Sequence, residues 1–250
     1  PDPTPIQYEI ADYMQPGDRR AIIEGFSGVG KSWICSAYVV HQLLLNPIKN
    51  ILVVSASKTR ADDFSTFTLS IIHELPILAH LRPTDKQRFS KISFDVGPAP
   101  ASHAPSVKSL GVTSQLTGSR ADIIVADDIE VVGNSATQGM RDKLGEQVKE
   151  FDAIIKPDDD SRVLFLGTPQ CEDTIYNKLT ERGYRKQIWP AKYVTTKVNQ
   201  STYDGTVSPI CVNDEKAGGS TEPLRFSDID LAEREASYGR TGFSMQFMLD

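Results

Sequence analysis

The chain has 250 residues, 39% of them hydrophobic and 24% charged, with 17 glycines and 15 prolines, proportions that exclude disordered, collagenous and coiled-coil classes and allow one large or two small domains. Lysine plus arginine number 27 against 33 aspartate plus glutamate, a net charge of -6, which argues against a surface that coats nucleic acid throughout while leaving room for a local basic track. No run approaches the roughly 18 apolar residues of a membrane helix, the N-terminus lacks the basic start and apolar block of a secretory signal, and Cys35, Cys171 and Cys211 are odd in number and widely spaced, so structural disulfides and zinc are not expected and a reducing cytoplasm fits.

In chain order, Ile22 and Ile23 close an apolar strand that runs into GFSGVGKS at 25–32 and then into helical spacing, where Trp33, Ala37, Val40 and Leu44 predict one buried face. Asn46 and Pro47 stop this helix, and ILVVSAS at 51–57 reads as a strand buried on both faces. A helix is predicted from Thr59 to about Leu75, followed by extended pieces within 92–112 and the strand DIIVADD at 122–128. Met140, Leu144, Val148, Phe151 and Ile155 predict a further helix, followed by the strand RVLFLGTP, a helix around 174–182 and the strand YRKQIW. Strands alternating with helices predict an α/β fold with a mostly parallel, doubly wound sheet. Residues 195–222 have few apolar residues and no period and read as a long loop; after them Ser227 caps a predicted helix that Gly239 can end. Apolar helical spacing running up to Asp250 predicts that the natural chain continues.

GFSGVGKS satisfies G-x-x-x-x-G-K-S between a predicted strand and helix, the context in which backbone N–H groups and a helix N-terminus cradle phosphates. This makes Gly25, Gly28, Val29, Gly30, Lys31 and Ser32 the expected nucleotide-binding residues, with Lys31 at the β and γ phosphates of ATP and the Ser32 hydroxyl on Mg2+. In IIVADD, Asp127 ends an apolar strand where open α/β sheets bind ligands and is the second expected magnesium residue; Asp128 follows in position to activate water, with Glu130 as substitute. LFLGTPQ places Thr168 at another strand exit, a weaker signal. The bland alternatives are a glycine-rich turn, an aspartate-rich turn and an ordinary Gly-Thr-Pro exit. Asp158, Asp159 and Asp160 read as an acidic loop.

GFSGVGKSW, QLTGSRADIIVADDIE, SRVLFLGTPQ and YRKQIWPA, in this order, resemble the ATPase domain of the large terminase subunit of tailed double-stranded DNA phages, in its short-tailed branch. The resemblance implies a P-loop motor with a RecA/helicase-like core that translocates double-stranded DNA into an empty capsid. It implies partners in the portal protein, the small terminase subunit and further copies forming a ring, and a place in the host cytoplasm, transiently at the portal vertex and outside the mature virion. It makes Gln7 an adenine-reading residue and Thr168 the residue coupling hydrolysis to movement. Ser27 stands where many terminases place an arginine, so Arg120 is the candidate finger reaching a neighbouring subunit, or else a structural partner of Asp122 or Asp127.

The expected division is an ATPase core over 11–194 and a small linker or lid subdomain from 1–10 and 195–250 leading toward a nuclease domain that the chain does not include, so no nuclease activity is expected. Lys58 and Arg60, after the second strand, are the expected DNA-backbone contacts. The rival readings are a helicase or recombination-type ATPase, and a nonenzymatic ATP-binding assembly switch.

Overall fold

The computed structural model describes residues 2–15 and 17–250. Helix α1 (Pro5–Met14) opens the fold, then β1 (Arg20–Gly25), α2 (Lys31–Leu45), β2 (Ile51–Ser55), α3 (Lys58–Glu74), β3 (Ser93–Phe94), β4 (Val107–Gly111) and β5 (Ile123–Asp127). The helices α4 (Val132–Ser135), α5 (Gln138–Lys149) and α6 (Phe151–Ile154) precede β6 (Arg162–Gly167), α7 (Ile175–Glu181), β7 (Arg185–Trp189), α8 (Thr196–Thr202) and α9 (Asp228–Phe243). The sheet order is β3-β4-β2-β5-β6-β1-β7, with only the β3–β4 pair antiparallel. Every residue of β2, β5 and β6 is buried, as continuous apolar runs covered on both faces require.

The order places β6 between β1 and β5, so the C-terminal tips of these three strands lie side by side, with Glu24 opposite Gly167 and Leu166 opposite Asp127. Three loops therefore emerge together at one edge, the position at which parallel sheets bind ligands. Two hydrophobic clusters flank the sheet. One joins α1, α2 and the C-terminal segment around Val39, Trp189, Phe226 and Phe247, and the other packs α5, α6 and α7 around Phe151, Phe165 and Tyr176.

Three expectations change. The α2 helix stands where it is predicted, and Val40 is buried as expected, but the face is rotated: Trp33, Ala37 and Leu44 are exposed and Cys35, Val39 and Leu43 are buried. Apolar residues occupy more than one stripe of this helix, so spacing alone admits two faces, and Trp33 is stabilised at the surface by Phe67 of α3, 4.3 Å between ring centroids. The α1 helix is not read from periodicity, although Thr4 and Gln7 form a capping box with Pro5 in the first turn. The stretch 195–222 is also no free loop. It contains α8 and a 3-10 turn at Pro209–Cys211, and bridges tie Val207 to Ile188, Val212 to Val194 and Ser220 to Lys192.

Glu24, on β1 directly before the glycine loop, is buried with Lys186 at 3.7 Å as its ion partner, and burial pushes its carboxyl up to about 7. The folded chain thus holds this proton to a higher pH than the unfolded chain, whose glutamate titrates near 4.5. The resulting stability is present below about pH 4.5 and is lost as pH rises to 7. Glu24→Gln removes that loss: at pH 8 the variant is expected to be more stable than wild type by roughly 2 kcal/mol, and urea midpoints at pH 5 and pH 8 check it.

Candidate active site

The glycine loop leaves β1 at Gly25 and turns into α2 through Gly28 (φ 92°) and Gly30 (φ 96°), left-handed positions that favour glycine. Gly30 is the N-cap of α2 and no side chain closes that helix end. An uncapped helix N-terminus carries unsatisfied N–H groups and positive partial charge, the combination that holds anions.

Lys31 is 7% exposed and its ammonium donates to the carbonyls of Gly25 at 2.8 Å and Phe26 at 3.4 Å and to Thr168 Oγ1 at 2.9 Å. It has no ion pair within 4.0 Å among the described residues. Burial lowers its pKa, opposed by Asp128 and Asp127. A buried ammonium held by carbonyls and a hydroxyl is poised to take an anionic partner. Thr168 reaches it because β6 ends between β1 and β5; its hydroxyl also donates to the Gly25 carbonyl at 3.0 Å. Gly167 is required below it, since a Cβ there would lie 1.7 Å from the buried Tyr176 hydroxyl.

On the other side, Ser32 Oγ donates to both carboxylate oxygens of Asp127, at 2.9 and 3.1 Å. Burial, reinforced by Asp128, pushes the Asp127 carboxyl up to about 6. Asp128 follows with φ 45°, a left-handed backbone uncommon outside glycine and best tolerated by Asn and Asp, and its N–H donates to the Leu166 carbonyl at 2.8 Å. Such a backbone at a strand tip marks functional sites. Arg60, from the first turn of α3, lies 3.7 Å from Asp128 Oδ2. Glu130 is buried and fully used: it accepts from Gln170 N–H, the Thr174 hydroxyl and Ile175 N–H at 2.7–2.8 Å, tying this segment to the start of α7.

The structure thus brings Lys31, Asp128 and Thr168 around one cleft of about 460 Å³, also lined by Ser27, Gly28 and Arg60, with the hydrogen-bonded Ser32–Asp127 pair next to it in the chain, each directly adjoining a lining residue. Gln7 of α1 lies against the glycine loop, accepting from Thr4 N–H at 3.0 Å and donating from Nε2 to the Val29 carbonyl at 2.8 Å. Arg120 is not brought in. It precedes β5, at the opposite end of the strand from Asp127 and roughly 20 Å away, and donates to the carbonyls of Ser119 and Ala153. Nor is it a partner of Asp122, which pairs with Lys156 at 2.9 Å, or of Asp127. Lys58 points outward and pairs with Asp62 one turn on.

Sequence reasoning missed the C-terminal contribution. Arg225 donates to the Gly28 and Val29 carbonyls at 3.2 Å, Phe226 packs edge-on against Phe26, Ser27 N–H donates to the Gln246 carbonyl, and Gln246 Nε2 donates to the Pro169 carbonyl. No local pattern could reveal contacts between residues 77 to 197 and more positions apart.

The chain is 49% identical over 258 aligned residues to the large terminase subunit of Enterobacteria phage T3, covering 100% of this chain and 44% of that protein. The chain belongs to the terminase large-subunit family. This terminase chain spans less than half the length of the relative. In fold it is similar to the large terminase ATPase domain of Thermus phage P74-26, at 13–14% identity with TM-scores of 0.55 and 0.52 over 98% of this chain and 97% of those. No family profile matches the terminase chain. Among the described residues, no helix is long and apolar enough to cross a membrane.

Proposed function

We propose that the terminase chain is an ATP-hydrolysing motor that moves double-stranded DNA into an empty capsid. The observation that carries this reading is the convergence of Lys31, Ser32, Asp127 and Thr168 at the tips of three neighbouring strands. An unpaired buried ammonium beside an uncapped helix end suits a polyphosphate. Ser32 and Asp127 are hard oxygen donors facing one another, and a buried carboxylate held with a hydroxyl fits Mg2+, which takes one or two protein oxygens and completes its shell from phosphates and water. Among the described residues no group of three or more His, Cys, Asp or Glu comes together as a metal cage. Bound there, Mg2+ would supply charge neutralisation of the phosphates.

The residues then take distinct roles. The glycine loop and Lys31 bind and orient the triphosphate. Asp128 orients the attacking water and accepts its proton, while Glu130 is committed to its three donors. Thr168 touches both Lys31 and the loop and, through the adjoining Pro169 carbonyl, Gln246 of the C-terminal segment. That chain of contacts supports Thr168 as the coupling residue, with the 11–194 core working against the 1–10 and 195–250 segments as linker or lid. A finger role for Arg120 would operate in a neighbouring subunit's cleft, within a ring seated on the portal protein in the host cytoplasm and served by the small terminase subunit.

The contact of Gln7 with the Val29 carbonyl supports a base-reading role for it. Gln7→Ala is expected to raise the KM for ATP by about tenfold and to narrow the preference for ATP over GTP, with kcat within twofold; steady-state kinetics on both nucleotides check it. The motor reading is tested by ATP turnover with and without duplex DNA across a protein concentration series. Turnover that rises with duplex and with concentration supports it. Turnover stimulated by single strands alone favours a helicase-type enzyme.

A further inference from the structure

Of the residues lining the cleft, only Lys31 and Arg60 are cationic among those described. Lys31 enters from the glycine loop. Arg60 enters from the opposite side, on the first turn of α3, which Ser57 caps directly after β2, the strand paired with β5. Asp128 and Glu130 line the same cleft, so Lys31 alone would leave the fixed charge of its lining net negative, and Arg60 brings the two signs level before a polyanion enters. Ser27, at the middle of the loop, brings a hydroxyl and no charge.

Among the described residues the only ion pair of Arg60, to Asp128 at 3.7 Å, is too long for a hydrogen bond and is 54% exposed on the arginine side. Its planar fork of donors is therefore available for the bidentate geometry that phosphate oxygens offer. Lys58, two residues earlier, turns outward to Asp62, so the two basic residues of this segment face different surroundings.

We propose that Arg60 is the second cation of the cleft and a catalytic residue that contacts the terminal phosphate of the bound nucleotide. The role rests on the ATPase reading above, and it replaces a DNA-backbone role for this residue. In the reaction, the water oxygen bonds to the γ phosphorus while the bond from that phosphorus to the bridging oxygen breaks. The water proton passes to Asp128, ADP departs with the bridging electron pair, and Arg60 offsets the charge spread over the transferring group. As its guanidinium moves to the phosphate, the Asp128 carboxylate is released from the pair to face the water.

Arg60→Ala and Arg60→Lys test this on the full chain, alongside wild type and Lys31→Met. For Arg60→Ala, kcat should fall by about 100-fold with KM within threefold, affinity for ADP–aluminium fluoride should drop by a similar factor while affinity for ADP holds, and duplex affinity should stay within twofold. Arg60→Lys should recover less than a tenth of wild-type kcat, because a point charge lacks the fork. Unchanged kcat and unchanged analogue affinity overturn the proposal, as does lost duplex affinity with DNA-free turnover intact, which would assign Arg60 to the DNA backbone. If wild type and Lys31→Met bind and turn over ATP alike, the ATPase reading itself falls, an outcome distinct from normal wild-type activity with silent Arg60 variants.

Discussion

Replacing Lys31 by methionine is expected to lower ATP turnover by about a thousandfold or more and to raise thermal stability rather than reduce it. The two effects have one cause. The ammonium is buried, has no carboxylate partner within 4.0 Å among the described residues, and is held by two carbonyls and the Thr168 hydroxyl. Desolvation lowers its pKa, so the folded state carries a cost that a neutral chain of similar length would not. Methionine keeps the packing of the aliphatic stem and removes the charge. A gain of function-free stability is the signature of a residue retained for binding; turnover assays and melting curves on the same preparation check both halves. A simple structural role would instead lower the melting temperature.

Asp128→Asn is expected to lower kcat by about 10² to 10³, the range of a lost general base, with nucleotide affinity within threefold and stability nearly unchanged. Asparagine tolerates the left-handed backbone that this position requires (φ 45°). Glu130→Gln should behave in the opposite way. Its carboxylate accepts from Gln170 N–H, Thr174 and Ile175 N–H, and an amide would place N–H against N–H at one of these buried contacts. Loss of about 2 kcal/mol of stability is expected, with the residual folded enzyme still turning over. Single-turnover kinetics and urea denaturation on the two variants separate the roles; a kcat collapse confined to Glu130→Gln would exchange them.

The site was largely readable in the chain because its parts are local. The glycine loop, the β5 tip with Asp127 and the β6 exit with Thr168 each lie within a few consecutive residues, and an apolar run that ends in them states both strand and ligand edge. What failed was non-local or directional. The buried face of α2 depended on which of two apolar stripes met the sheet, and Trp33, on the outer stripe, packs on Phe67 instead. Arg225 and Gln246 reach the loop from the far end of the sequence, and the ordering of 195–222 depends on bridges to β7 and the segment after it. Arg120 is the instructive case. A residue just before a five-residue strand must sit at the end opposite the tip that carries Asp127, so the strand by itself excludes Arg120 as a partner of Asp127. The Thr4–Gln7 capping box was likewise present as a start signal and, combined with Pro5, identifies α1.

The central claim is that Lys31 and Asp127 grip one metal–nucleotide pair between the tips of β1 and β5, on either side of β6. Electron paramagnetic resonance of Mn2+ added to the chain with and without ATP measures this directly. The account predicts weak Mn2+ binding alone, tight binding with ATP, and loss of the nucleotide-dependent signal in both Lys31→Met and Asp127→Asn. Tight Mn2+–ATP binding that survives Asp127→Asn would contradict it.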